Sequence, residues 1–240
     1  MRIAQALGAI LFLLASASIL EAQRAFEQRG EVIFESSEKR QTNLGVGFNP
    51  ILTAEGKVVF MRGRHPGYGD DFDCTKDAAK NWVARYDPIT GQESRLFDRP
   101  IKYDGPNSLG FCLFEQMQLS HDGTTLYLLA ATYATSGNLA IINLASELIS
   151  FVPGVIAVFL IETGPHRDEL IYQRRVWHKS PADGLEYPAY PLIHALADGR
   201  QIREISDENF TVAGNDKMPI LRKYLREING TIHANGQKMP

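Results

Sequence analysis

The clearest group of residues with chemical potential is an acidic loop that reads HPGYGDDFDC. It holds one histidine and three aspartates within a few positions, His65, Asp70, Asp71 and Asp73. Carboxylate oxygens at such spacing are ligands that calcium prefers, although the regular pattern and terminal glutamate of an EF-hand are missing. Two interpretations stay open: a solvated loop between strands that Cys74 tethers, and a calcium site. Apart from this calcium, the sequence predicts no cofactor.

A second group combines cations and aromatic rings in the stretch RRVWHKSPADGLEYPAYP. From it we predict a binding surface made by Arg175, Trp177, His178 and Tyr187, with Tyr133 contributed by a second insert. Large rigid rings beside a guanidinium group provide contact area and hydrogen-bond donors at low entropic cost. The alternative is that these rings fill gaps between the sheets of the core.

Catalytic signatures are mostly absent. The sequence contains no Gly-x-Ser-x-Gly elbow, no His-Glu-x-x-His pair and no phosphate-binding Gly-Lys-Ser/Thr loop. Ser36 and Lys39 match Ser-x-x-Lys by chance, because they follow a strand instead of opening a helix. The six histidines are scattered, and only the fold can bring two of them together. A binding role is therefore favoured, and the alternative is a metal-dependent hydrolase at the acidic loop.

The N-terminus indicates the compartment. Arg2 precedes an apolar run over residues 3–14, and small residues follow at 15–18. This order is typical of a secretory signal, with cleavage after Ala17 or Ala22. The apolar run is shorter than the ~20 residues that a membrane span needs. We therefore expect a periplasmic or secreted protein with no membrane span after removal of residues 1–22.

The amino-acid composition favours strands and is compatible with a disulfide in an oxidising compartment. The formal net charge of −3 gives no sign of the basic face that nucleic-acid binding needs. Nine Tyr and twelve Phe, with twenty Gly and twelve Pro, favour strands and turns over helices. The two cysteines, Cys74 and Cys112, are expected to form a disulfide in an oxidising compartment, with two free buried thiols as the alternative.

Short hairpins recur along the chain. In LSHDGTTLYLL, Asp122-Gly123 predicts a tight turn between two apolar strands, and Glu55-Gly56 and Asp198-Gly199 repeat this pattern. Gly137, between Ser136 and Asn138, predicts a further turn. Units of four short antiparallel strands return after ~40–50 residues, a period typical of propeller blades. We predict an all-β fold, a propeller-like array of three to four antiparallel four-stranded sheets.

The same stretch carries a family resemblance. LSHDGTTLYLL…GNLAIINL resembles the WD-like repeat of TolB-type β-propellers. His121 stands where the family usually has proline, and Asn143-Leu144 stands where it usually has aspartate-leucine. The residues that match the motif are Leu119, Ser120, Asp122, Gly123, Leu126 and Tyr127. The resemblance covers roughly residues 48–205 and implies a fold, not an activity, because propellers host many functions.

The predicted organisation has four parts. A signal segment (1–22) is followed by an N-terminal strand and linker (23–47), a propeller-like β domain (48–212), and a C-terminal helix and tail (213–240). A helix from Lys217 to about Ile228 is expected to cover an exposed sheet edge or end with its apolar stripe, and a partner-binding helix is the alternative. The predicted partner is a protein, a peptide or an envelope component. Closure of the array by a second copy, or membership of a larger envelope assembly, are alternatives.

Overall fold

In the part of the chain that the structure describes, the fold is all-β with one short helix. The computed structural model describes residues 23–63, 82–97, 113–131, 137–180, 183–205, 218–234 and 237–239. These residues belong to two compact units, one holding 23–63 and 82–97, the other holding the remaining described residues. The predicted fold class is confirmed, whereas the strands are distributed differently from the separate four-stranded sheets that the sequence predicts.

The first unit is a six-stranded antiparallel sheet in which neighbours along the chain pair in order. Its strands are β1 (Arg24–Gln28), β2 (Glu31–Glu35), β3 (Gln41–Leu52), β4 (Val58–Arg62), β5 (Trp82–Asp87) and β6 (Gln92–Phe97). The region predicted as one strand and a linker therefore contains β1, β2 and the first part of β3. A core made from β2, β4 and β5 stabilises the unit, with Val32, Phe34, Val58, Phe60 and Ala84 buried.

The second unit contains a seven-stranded antiparallel sheet with the order β15-β14-β11-β10-β9-β8-β7. Its strands are β7 (Leu113–Leu119), β8 (Thr125–Ala131), β9 (Gly137–Asn143), β10 (Ile149–Leu160), β11 (Leu170–Arg174), β14 (Leu192–Ala195) and β15 (Gln201–Glu204). Between β11 and β14, the chain forms a two-stranded hairpin of β12 (Val176–Lys179) and β13 (Glu186–Ala189). After β15 come helix α1 (Met218–Glu227) and a short hairpin of β16 (Ile232–Ala234) and β17 (Gln237–Met239).

Two long strands explain why the four-stranded units are not separate sheets. In β10, residues 149–155 pair with β9 and residues 155–160 pair with β11. The change of partner occurs at an irregularity next to Gly154, whose φ is 75°. In the same way β3 pairs first with β2 and then with β4. The first part of each long strand therefore belongs to one predicted four-stranded unit, and the second part belongs to the next. This is possible because a bulge bends a strand without breaking it.

The acidic-glycine turns have the predicted geometry. At each one the glycine has a positive φ, 75° at Gly56, 73° at Gly123 and 84° at Gly199. In each turn the glycine N–H also donates to the carbonyl oxygen three residues earlier, for example Gly123 N to Ser120 O (2.9 Å). A second backbone bond closes each hairpin, Ser120 N to Thr125 O (2.9 Å) in this turn. Only a residue without a side chain adopts this φ at low cost. The hairpins β3–β4, β7–β8 and β14–β15 are therefore confirmed.

The seven-stranded sheet is covered on the face that carries Ile171 of β11 and Leu192 of β14. Helix α1 and the β16–β17 hairpin supply the covering side chains, among them Leu221, Leu225 and Ile232, all 1% exposed or less. The predicted helix and its apolar stripe are confirmed, although α1 packs against a sheet face and not an edge. This packing places the end of the β10–β11 loop, β14 and α1 next to one another.

A buried carboxylate joins three parts of the first unit. Glu35, which ends β2, is 4% exposed. It accepts hydrogen bonds from Arg24 Nε (3.0 Å) and Nη2 (3.1 Å), from Gln41 Nε2 (3.0 Å) and from Lys39 Nζ (3.4 Å). The donors lower the pKa of Glu35 from 4.5 to about 2, with Arg24 the largest cause. Ionised Glu35 therefore stabilises the folded unit.

We expect Glu35→Gln to lower the melting temperature of the first unit in a pH-dependent way. Because the folded pKa lies below the unfolded one, the stabilisation is complete above pH 4.5 and disappears as the pH falls towards 2. The difference in melting temperature between wild type and variant should be largest at pH 7 and narrow between pH 4.5 and 2. Circular dichroism melts measure this, with Glu27→Gln on exposed β1 as the control. A difference that stays constant with pH would contradict the assignment.

Candidate functional site

The predicted binding residues lie on the β12–β13 hairpin. In the described part of the chain, these two strands pair with each other and with no third strand. Trp177 is 58% exposed, Tyr187 is 47% exposed, and Leu185 in the connecting turn is 58% exposed. An isolated two-stranded hairpin is marginally stable in water. The hairpin therefore offers large apolar side chains to a partner.

The register divides the predicted residues between two faces of the hairpin. Trp177 lies opposite Pro188, and His178 lies opposite Tyr187. Because directly opposed residues share a face and neighbours along a strand alternate, Trp177 and Tyr187 point to opposite sides. Arg175 shares the Trp177 side, with its guanidinium carbon 4.6 Å from the centre of the indole ring. One face is thus a cation–π pair, and the other joins an imidazole with a phenol.

The phenol of Tyr187 is held by the turn. Its hydroxyl donates to Asp183 Oδ2 at 2.6 Å, and Asp183 Oδ1 accepts from the backbone N–H of Leu185 at 3.0 Å. The hydrogen bond from Tyr187 lowers the pKa of Asp183, and the same bond raises the pKa of Tyr187. Both faces of the hairpin therefore present rings in defined positions, which reduces the entropy lost on binding.

The other predicted site residues lie outside the described part of the chain. These are Tyr133 of the second insert, the acidic-loop residues His65, Asp70, Asp71 and Asp73, and the cysteines Cys74 and Cys112. The calcium site, the disulfide and the contribution of Tyr133 to the binding surface remain predictions.

The fold brings together two of the scattered histidines. His166 and Glu169 lie in the loop between β10 and β11, and His194 lies on β14. Residue alternation on β14 sends Ile193 and Ala195 into the core of the sheet and His194 to the side covered by α1. The nitrogen and oxygen donor atoms of these three side chains lie within 4.8 Å of one another. Their chemistry, two imidazoles and one carboxylate, is that of a transition-metal site.

One carboxylate oxygen connects the two imidazoles. Glu169 Oε2 lies 2.9 Å from His166 Nδ1 and 2.6 Å from His194 Nε2. The rings of His166 and His194 meet edge-on, with their centres 5.1 Å apart. The side chain of His194 is 2% exposed, whereas those of Glu169 and His166 are 22% and 37% exposed. The cluster is therefore closed on the β14 side and open to solvent at His166.

Tyr224 of α1 and Arg203 of β15 hold the buried imidazole of His194 at Nδ1, the nitrogen that does not contact Glu169. Tyr224 Oη lies 2.7 Å from His194 Nδ1 and accepts a hydrogen bond from Arg203 Nε at 2.9 Å. The Arg203 guanidinium also stacks over the phenol ring at 4.3 Å. Burial lowers the pKa of His194, opposed by the charge of Glu169, and burial raises the pKa of Tyr224. A neutral imidazole and a protonated phenol are the expected forms at neutral pH.

His121 anchors the loop that carries the cluster. Asp168 Oδ1 accepts a hydrogen bond from the backbone N–H of His121 and contacts His121 Nδ1, both at 2.8 Å. Proline, the usual residue at this position in TolB-type repeats, has no backbone N–H to donate. His121 thus connects the β7–β8 turn to Asp168, which directly precedes Glu169 in the loop.

Sequence reasoning missed the cluster because its members are distant along the chain. His166 and Glu169 are three positions apart, which is a weak signal in a segment with no helical pattern. His194 sits in an apolar stretch, LIHA, where a single polar residue among buried ones is the detectable signal. Such a residue is costly to bury unless it has a partner. Pairing of β11 with β14 brings His194 next to the loop before β11, which carries His166 and Glu169.

Comparisons with known proteins concern the fold alone. No family model matches the chain, and no curated protein matches it. Among solved structures, it is similar to the β-propeller domain of the Trilobed protease from Pyrococcus furiosus (TM-score 0.47, 10% identity, 90% of this chain and 66% of that chain). It is also similar to TolB from Acinetobacter baumannii (0.41, 16%, 75% and 38%) and to a Pyrococcus horikoshii acylaminoacyl peptidase (0.41, 11%, 74% and 28%). The chain spans less than two thirds of the length of each of these structures, and the matches carry nothing on activity.

Within the described ranges, no helix has the length and apolar character needed to cross a membrane.

Proposed function

We propose that this chain is an exported, non-enzymatic binding module that takes an extended peptide segment of a partner protein on the β12–β13 hairpin. The observation that carries the proposal is the exposure of Trp177, 58%, on a two-stranded hairpin that no third strand joins in the described residues. Exposed tryptophan and arginine side chains are the residues most enriched at the energetic centres of protein interfaces.

Backbone geometry supports a peptide over a small molecule. Each strand of the hairpin has an edge without a partner strand among the described residues, and an extended peptide binds such an edge through main-chain hydrogen bonds. Side chains of the peptide then alternate between the two faces. On one side they meet Trp177 with Arg175, and on the other they meet Tyr187 with His178. The alternation gives specificity on both faces of the hairpin.

Export is part of the same proposal. The N-terminal segment 1–22 has the order of a secretory signal, which places the mature chain outside the cytoplasm. The intact mass of the protein recovered from the periplasm or the medium tests this. Loss of the residues up to Ala17 or Ala22 is expected, and a full-length mass in these fractions would contradict it.

We expect Trp177→Ala to abolish peptide binding without affecting folding. A displayed library of random peptides is selected on the purified mature chain, and the affinities of the enriched peptides are then measured for both forms. Loss of a central interface tryptophan is expected to weaken binding by about thirtyfold or more, the equivalent of at least 2 kcal/mol. The melting temperature should not change, because the ring is largely in solvent.

Ile89→Ala is the matched control, since Ile89 is 91% exposed in the β5–β6 turn and belongs to the first unit. It should leave both peptide binding and melting temperature unchanged. If no peptide is enriched, or if enriched peptides bind Trp177→Ala as tightly as wild type, the hairpin is not the recognition surface. A large fall in the melting temperature of Trp177→Ala would make the ring a core residue instead.

A further inference from the structure

We propose that His166, Glu169 and His194 form a binding site for one Zn²⁺ ion in the second unit. One ligand atom from each residue lies within 4.8 Å of the other two, and Glu169 Oε2 contacts His166 Nδ1 and His194 Nε2 directly. The proposal is independent of peptide recognition, because none of these residues belongs to the β12–β13 hairpin.

The donor set fits zinc. Two imidazole nitrogens and one carboxylate oxygen are a known zinc ligand set, each bound at about 2.0–2.2 Å in tetrahedral geometry. Such geometry separates neighbouring donor atoms by about 3.3–3.5 Å. Glu169 Oε2 now lies 2.9 Å and 2.6 Å from the two nitrogens, so small side-chain adjustments reach these separations.

His194 is the residue that points to a cation. Its Nε2 is buried and makes no hydrogen bond that meets standard geometric criteria. Glu169 Oε2 lies 2.6 Å from this nitrogen, so the two atoms already face each other across a short distance. A cation bound by both atoms would satisfy the buried nitrogen and would move the two atoms apart to the larger separation of neighbouring zinc ligands.

The surroundings of His194 favour the tautomer that a metal needs. Zinc binds the unprotonated nitrogen of a neutral imidazole, and the other nitrogen then donates to an oxygen that orients the ring. Tyr224 Oη is this oxygen, 2.7 Å from Nδ1, and Arg203 in turn holds Tyr224. The hydrogen bonds of Asp168 with His121 hold the loop that supplies the other two ligands.

Solvent reaches the site from the side of His166, which is 37% exposed. A water molecule is therefore the expected fourth ligand. The ion would connect the β10–β11 loop to β14 and, through Tyr224, to α1. Its role in this position is to hold the loop and the covering helix on the sheet.

Metal binding to the chelator-treated mature chain tests the proposal. Titration calorimetry with Zn²⁺ is compared among wild type, His166→Ala, Glu169→Gln and His233→Ala, the last an exposed histidine of β16. We expect wild type and His233→Ala to bind the ion equally. We expect His166→Ala and Glu169→Gln to lose at least tenfold in affinity for one equivalent. Tyr224→Phe should lose about 10–100-fold, the usual effect of removing a group that orients a ligand.

Co²⁺ provides a spectroscopic readout, since a tetrahedral site with nitrogen ligands gives visible absorption bands. These bands should appear in wild type and be absent in His166→Ala. Folding of each metal-free variant is checked by circular dichroism. The proposal is overturned if folded wild type binds no Zn²⁺, in which case the three side chains form only an ion-paired cluster. It is also overturned if binding persists unchanged in both His166→Ala and Glu169→Gln.

Discussion

Leu225→Ala is expected to destabilise the second unit by about 2–5 kcal/mol, the range for truncating a fully buried leucine. Leu225 of α1 is 0% exposed and packs in the cluster that joins the helix to β11 and β14. The truncation removes apolar contact and leaves a cavity that neighbouring side chains fill incompletely. Because α1 is a ten-residue helix, shorter than isolated helices that are stable in water, its formation depends on this packing.

Hydrogen exchange followed by mass spectrometry localises the effect. Peptides from α1 and β14 should lose protection in Leu225→Ala, whereas peptides from β2 and β4 of the first unit should keep theirs. Leu148→Ala is the control, because Leu148 is 73% exposed in the β9–β10 turn. Unchanged protection in α1 would show that the helix does not need its buried stripe.

The elements that depend on neighbouring residues could be predicted from the sequence. The corner at Asp122-Gly123 is determined by a glycine at positive φ and an aspartate that accepts from the backbone of Thr124 at 3.0 Å. The stripe of α1 is likewise visible in the spacing of Leu221 and Leu225. In both cases the controlling interactions join residues within a few positions, so the pattern contains the information.

Features that depend on distant strands were missed. The sequence predicts Gly137 in a turn, but it is the first residue of β9, where a Cβ atom would be 2.7 Å from the carbonyl oxygens of both Ala130 and Val155. The glycine is there because neighbouring backbones approach closely, which no local pattern reveals. The change of partner along β10 has the same origin, since residues on either side of Gly154 are equally suited to a strand.

In the candidate sites, too, features that depend on local sequence could be predicted, and features that depend on strand pairing could not. Exposure of Trp177 and Tyr187 follows from their place in a polar insert, whereas their opposite orientation depends on the register of the hairpin. The His166–Glu169–His194 cluster depends on the pairing of β11 with β14, which aligns Ile171 with His194. The two strands are separated along the chain by the whole β12–β13 insert, and no sequence pattern predicts that they pair.

Gly164→Ala is expected to destabilise the second unit by about 2–4 kcal/mol, the sum of a left-handed backbone and a steric clash. Gly164 has a φ of 88°, and a Cβ atom at this position would be 2.3 Å from the carbonyl oxygen of Asn229. The backbone cannot move aside freely, because Glu162 N donates to Thr231 O at 2.7 Å and Gly230 N donates to Leu225 O at 2.9 Å. The loop of His166 and the end of α1 are therefore coupled at this glycine.

Gly184→Ala separates the cost of the left-handed backbone from the cost of the steric clash. Gly184 lies in the same unit with a φ of 71°, but its nearest neighbour to a new Cβ would be Lys179 Cε at 3.9 Å. This variant should lose only the ~1–2 kcal/mol of the left-handed conformation. Urea denaturation of both variants gives the difference in unfolding free energy, which is the steric cost of a Cβ atom at position 164 against Asn229. Equal losses in the two variants would mean that the loop relaxes without cost. A larger loss in Gly164→Ala, together with weaker Zn²⁺ binding, would show that the position of the loop relative to α1 controls the geometry of His166 and Glu169.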